Sequence, residues 1–173
     1  GIALSWSGSE PDRTMDLFFD AMFAKSVDDV RKSIGSDTST IPLNIVMADH
    51  KDIAWQVTGR FPLRKKGRGL CPSPGWTGEY DWKGFLHPSL HPRSKNPAKG
   101  YIGTANHRTV PADFPYILSS SWYYPDRAMR IDQMMKGVKA YTVDDAVAMQ
   151  LDTYSIFVNV IKAALLEKKT LDG

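Results

Sequence analysis

Apolar residues recur along this chain with two periods, and the switches between them outline the elements. Ile2 to Trp6 alternates as Ile-Ala-Leu-Ser-Trp and predicts a strand that runs into a Ser-Gly-Ser turn. Ser9-Glu10-Pro11 then opens a helix, with the proline near its first position. Met15, Phe18, Phe19 and Met22 follow at helical spacing and predict an apolar stripe packed on a core. Ser26-Val27-Asp28-Asp29 has the pattern of a capping box, so a second, short helix should begin there and stop at Gly35. The polar run from Gly35 to Thr40 reads as a loop.

The period then changes. Ile41–Ala48 and Ile53–Thr58 are β-rich runs joined by Asp49-His50-Lys51-Asp52, the pattern of a hairpin. Gly59-Arg60-Phe61-Pro62 ends the second strand, because a proline cannot donate to a central ladder. From Pro74 to Arg108 the chain is rich in glycine and proline yet carries Trp76, Tyr80 and Trp82 close together. Such a stretch is too broken for a helix and too aromatic for a solvated linker, so it should lie against something. It delivers a short predicted strand, Gly100–Thr104, shortly before Asn106. Pro125 opens a helix through Met135, ended by Gly137. Thr142-Val143-Asp144-Asp145 caps another, predicted to run unbroken to about Lys168 with Val147, Leu151, Tyr154, Phe157, Ile161 and Leu165 on one face. Strands and helices come in groups rather than alternating, which predicts an α+β fold. No internal linker divides residues 1–173, so the chain reads as one domain-sized piece.

Composition narrows the function only by exclusion. Hydrophobic residues make up 42% and charged residues 24%, an ordinary globular balance, and the net charge is +3. The basic cluster Arg64-Lys65-Lys66 and Arg68 sits in a glycine-containing turn and reads as a solvated loop, not a nucleic-acid surface. No apolar run approaches the length of a membrane span. A single cysteine, Cys71, permits neither an internal disulfide nor a thiolate metal cluster. His87 and His91 are each followed by proline, so they cannot form a helical zinc pair. Phosphate-loop and dinucleotide fingerprints are absent, and the serine triplet Ser119–Ser121 lacks a strand–turn–helix setting. The first residues, Gly1-Ile2-Ala3-Leu4, have neither an initiator methionine nor the charged start of a signal peptide, which suggests a chain excised from a longer one.

What remains is Asn106, followed by Arg127 and Arg130. A neutral amide donor suits oxyanion stabilisation, since it offers a fixed dipole and transfers no proton. The arginines could hold that amide, or a substrate carboxylate, through forked hydrogen bonds. An asparagine after a strand is also a common turn residue, and spacing alone leaves both readings open.

A wider set of residues carries a resemblance. Asn44-Ile45-Val46-Met47-Ala48-Asp49, Ile53-Ala54-Trp55 and Gly59-Arg60-Phe61-Pro62 come first, and Pro74-Gly75-Trp76-Thr77-Gly78-Glu79-Tyr80-Asp81-Trp82-Lys83-Gly84-Phe85 follows. Asn96-Pro97, Gly100-Tyr101-Ile102, Asn106, Arg127, Ile131-Asp132 and Gln150-Leu151-Asp152-Thr153 complete the set. In order and spacing these resemble the penicillin acylase (penicillin amidase) family of N-terminal-nucleophile hydrolases, in an internal part of the large chain. The resemblance implies a four-layer αββα fold in the complete protein. It also implies a precursor that cleaves itself into a small and a large chain, and amide hydrolysis through an acyl-enzyme on the large chain's N-terminal serine. The oxyanion asparagine falls on Asn106, an arginine that organises the site on Arg127, and acyl-pocket positions on Phe18 and Leu43. The expected partners are the rest of the large chain, the small chain and a small-molecule N-acyl amide, with neither nucleic acid nor membrane. The expected location is the periplasm or the exterior. The chemistry needs no cofactor, and a structural calcium is allowed. Gly1 has no side chain, and Ser5 and Ser7 lack a free α-amino group, so the nucleophile lies outside this segment and the segment alone should be inactive. The rival expectation is a non-catalytic module whose Trp76, Tyr80 and Trp82 stack on a sugar or peptide.

Overall fold

The computed structural model describes residues 1–35 and 39–171, apart from the side chains of 168–171. The polar loop expected between Gly35 and Thr40 lies partly outside the described residues. The chain folds as two compact units, one of Gly1–Ile102 with Thr109–Trp122, the other of Gly103–Arg108 with Tyr123–Gly173.

The first unit is built around the predicted hairpin. Strand β1 (Leu43–Ala48) pairs antiparallel with β2 (Ile53–Thr58), from Leu43 opposite Thr58 to Ala48 opposite Ile53. A short strand that the sequence pattern does not announce, β5 (Arg93–Lys95), takes the other edge of β2. With both edges paired, β2 is central, and every residue from Ala54 to Thr58 is buried. β1 instead alternates, as an edge strand with one covered face should.

The two faces of β2 belong to two cores. Ala54 packs with Val27, Ile34 and Met47 beneath α2 (Val27–Ile34). Trp55 and Val57 point the other way and pack with Phe61 and Leu86. Burying a large apolar side chain of this kind stabilises by ~1.5–3 kcal/mol, so these clusters fix the register: a one-residue slip would exchange the faces. Ser26 caps α2 as predicted, accepting from the Asp29 N–H at 3.2 Å.

Asp49, in the hairpin turn, binds α2 to the sheet. Its carboxylate accepts from the backbone N–H of Val27 at 2.9 Å, Lys51 at 2.7 Å and Asp52 at 2.8 Å. These bonds, the Val27 one foremost, lower its pKa to about 2. Asp12 is likewise lowered to about 2, by hydrogen bonds from Thr14 and then Thr40. Both folded-state values lie below the ordinary carboxylate value of about 4. The stability these groups contribute is therefore complete above pH ~4 and is lost as pH falls through ~2. Thermal melts of the complete protein should show a fall across that window, and Asp49→Asn should flatten it; an unchanged acid slope in that variant would remove Asp49 from the account.

Several expectations are corrected. Ile2–Trp6 forms no strand, because none of the described strands pairs with it; only a 3-10 turn follows at Ser7–Ser9. Helix α1 begins at Thr14, not near Pro11, and ends at Met22. Its buried positions are Thr14 and Leu17, while Met15, Phe19 and Met22 are mostly exposed. Three of the four stripe residues thus face away from the core of this unit, and Phe18 is half-buried. The aromatic stretch contains a hairpin strand: β3 (Pro62–Arg64) pairs antiparallel with β4 (Trp82–Phe85). Lys65 and Lys66 meet Asp81 at 3.4 Å and Glu79 at 3.1 Å, so the two lysines of the basic turn are paired within its own hairpin. Trp82 lies under Arg64, but Trp76 is 89% exposed and lies against little of this chain. His91 is buried, with its ring edge-on to Phe61.

The second unit is helical. Pro125 precedes α3 (Asp126–Met135), and Thr142 and Asp145 form the predicted capping box of α4 (Val143–Gln150). The long helix is interrupted: α4 stops before Leu151, and α5 (Ile156–Leu171) restarts after Ser155. Within the break, the Arg130 guanidinium on α3 grips Asp152 through a fork of 2.9 and 2.8 Å. The Ser155 hydroxyl then accepts from the Val158 N–H at 3.2 Å and starts α5.

Candidate active site

Asn106 and Arg127 are brought together within the second unit. Gly100–Thr104 is not a strand: Gly100 has φ 79° and donates to the Pro97 carbonyl in a turn, and irregular chain follows to Thr104. What places Asn106 is packing at Gly103. A Cβ built there would lie 2.7 Å from Ile131 Cγ2 on α3, so only glycine allows this approach of chain and helix. Asn106 itself has φ 58°, a left-handed conformation that asparagine tolerates better than most residues. Its carbonyl accepts from the Tyr123 N–H at 3.3 Å.

The guanidinium of Arg127 fixes the side chain. Nη2 donates to the Ala105 carbonyl and to Asn106 Oδ1, both at 3.0 Å. A guanidinium can only donate, so the amide atom it holds must be the oxygen. That settles which way the carboxamide points, and leaves the Nδ2 hydrogens as the donors available to a further partner. Asn106 is exposed, so that direction is open. Arg130 takes no part in holding the amide. Its fork is spent on Asp152, with the guanidinium 4.7 Å from the Tyr154 ring centroid. The pair lowers the Asp152 pKa, chiefly through the Arg130 hydrogen bond, and keeps the α4–α5 junction against α3.

Phe18 and Leu43 are brought together within the first unit. They line a small, partly open cavity of about 40 Å³ between α1, α2 and β1. Leu17, Ala21, Val30, Ile34 and Ile45 supply most of the rest of its almost wholly apolar wall. The hydroxyls of Thr14 and Ser39 bond to each other at 2.8 Å rather than facing the space. Sequence reasoning missed Ala21, Val30 and Ile34. The signal available was the α1 face Thr14–Leu17–Phe18–Ala21, one position round from the stripe that hydrophobicity favours.

Among the described residues, no group of three or more histidine, cysteine, aspartate or glutamate side chains could hold a metal ion. Among them also, no helix is long and apolar enough to cross a membrane.

The family model for penicillin amidase matches residues 1–172. The chain belongs to the penicillin amidase family. An acyl-homoserine lactone acylase, QuiP, of Pseudomonas aeruginosa is 47% identical over 163 residues, covering 94% of this chain and 19% of that protein. The penicillin acylase 2 proenzyme of a Pseudomonas strain is 37% identical over 127 residues, covering 69% of this chain and 16% of the proenzyme. A solved structure of penicillin G acylase from Alcaligenes faecalis matches with a TM-score of 0.61 at 20% identity, over 76% of this chain and 24% of that one. The fold is therefore mixed α+β, part of the N-terminal-nucleophile hydrolase fold. This penicillin amidase segment spans about a fifth of the length of its curated relatives.

Proposed function

We propose that the complete protein hydrolyses linear N-acyl amide bonds through an acyl-enzyme on an N-terminal serine outside this segment. Asn106 donates from Nδ2 to the oxyanion, Arg127 holds the amide in that orientation, and Phe18 and Leu43 line the acyl pocket. The observation that carries this reading is the Arg127–Asn106 bond at 3.0 Å, since it aims a neutral donor and leaves it available. A donor held in advance stabilises developing charge without reorganising during the reaction. Family membership supports amide hydrolysis as the reaction class. An apolar cavity beside Phe18 supports an apolar acyl group.

The rest of the large chain and a small chain would complete the fold. The exposed Met15, Phe19 and Met22 on α1, and Phe157, Ile161 and Leu165 on α5, support packing against such partners. The location would be periplasmic or extracellular, as for the family. Two named relatives, an acyl-homoserine lactone acylase and a penicillin acylase, frame the candidate substrates. Phe18→Ala in the complete protein tests the pocket. Relative kcat/KM across an N-acyl amide series should shift by about tenfold between short and long acyl groups; an unchanged profile would take Phe18 out of the pocket.

A further inference from the structure

Resting on that reading of the cavity as an acyl pocket, we propose that Ala21 and Ile34 set the length of acyl chain the complete protein accepts. The cavity has a fixed floor and a variable wall. Thr14, Leu17, Ile34, Ser39 and Thr58 are all buried. Thr14 and Ser39 are bonded to each other, Ser39 Oγ donates to the Ile41 carbonyl at 3.1 Å, and Thr58 Oγ1 donates to the Ile34 carbonyl at 3.5 Å. These side chains have no freedom to withdraw before a longer ligand. Ile34 also belongs to the cluster of Val27, Met47 and Ala54, so it is the partition between cavity and core. A chain end that reaches Ile34 can go no further.

Ala21 acts from the opposite side. It lies four residues after Leu17 and three after Phe18, hence on the same face of α1. It has the smallest side chain of all the cavity's lining residues. The space in front of its methyl group is therefore part of what a ligand can occupy. Leucine is nearly as good a helix former as alanine, so Ala21→Leu fills that space and leaves the helix intact. It adds roughly three carbons, and each methylene kept out of the cavity should cost roughly fourfold in kcat/KM. Three excluded methylenes compound to about 60-fold. Ile34→Val does the reverse by removing one methyl from the floor.

The test is kcat/KM of the complete, processed protein on straight-chain N-acyl anilides from butanoyl to dodecanoyl. Ala21→Leu should lower the dodecanoyl-to-butanoyl ratio by about 60-fold, and Ile34→Val should raise it by about fourfold. If Phe18→Ala shifts the profile but neither of these variants moves the ratio by more than about twofold, the length inference fails and the acyl-pocket reading stands. If all three leave the profile unchanged, the cavity is not the acyl pocket and both fall. Should Ala21→Leu not fold, Ile34→Val decides alone.

Discussion

Replacing Asn106 by alanine in the complete protein should lower kcat by at least about 100-fold, with a stability loss of only about 1 kcal/mol from the left-handed backbone. The carboxamide is exposed in this segment, and its local partners are the Arg127 guanidinium through Oδ1 and the Tyr123 N–H through the main chain. Alanine removes the first and keeps the second. Arg127 retains its bond to the Ala105 carbonyl, so the turn keeps its anchor. The loss should therefore fall on the transition state far more than on the fold. Because the oxyanion exists only after attack begins, KM should change much less than kcat. Near-normal turnover would leave Asn106 as a turn residue whose left-handed conformation is its whole role. Proportional losses of kcat and of folded protein would point the same way.

Gly59→Ala should produce the largest loss of stability, ~3 kcal/mol or more. Gly59 is buried, with φ 118°, a conformation that side-chain-bearing residues rarely adopt. A Cβ there would lie 2.7 Å from Pro42 Cα, 2.9 Å from Pro42 N and 3.1 Å from the Ile41 carbonyl oxygen. These are backbone atoms at the start of the hairpin, and they cannot rotate away. The clash would push the end of β2 from the chain entering β1, at the point where Leu43 lines the cavity. A lowered melting temperature of the complete protein, or failure to recover soluble processed protein, would agree. A variant as stable as the parent would mean that the main chain around Pro42 yields more readily than its geometry implies.

Features set by neighbours in sequence were the legible ones. The Ser26 and Thr142 caps, the β1–β2 hairpin and the start of α3 each rest on a few adjacent residues, and each is where the pattern puts it. What failed depended on distant partners. Arg93-Ser94-Lys95 has no strand-like alternation; it is a strand because β2 offers an edge, with Lys95 held by Asp28 at 2.7 Å and Asp52 at 2.9 Å. Ile2–Trp6 has the alternation and finds no strand to pair with among the described residues. Hydrophobicity picked the wrong face of α1, because Met15, Phe19 and Met22 are apolar for a surface that this segment does not itself cover. The break between α4 and α5 holds an ion pair to α3 that apolar periodicity does not register.

The candidate site divides in the same way. Asn106, Arg127, Phe18 and Leu43 came from a resemblance, and spacing alone left Asn106 undecided between donor and turn. The structure adds which of the two arginines holds the amide and by which atom: Arg127 binds Oδ1 and so orients the donor, while Arg130 binds Asp152. It also adds Ala21 and Ile34, which periodicity placed in the background because one is small and the other ends a polar helix.

A structure of the complete, processed protein with a tetrahedral transition-state analogue on its N-terminal serine tests the central claim most directly. The account predicts Asn106 Nδ2 at about 2.7–3.1 Å from the analogue's oxyanion oxygen, with Oδ1 still held by Arg127. An oxyanion bound by other donors, with the Asn106 amide beyond hydrogen-bonding reach, would contradict it.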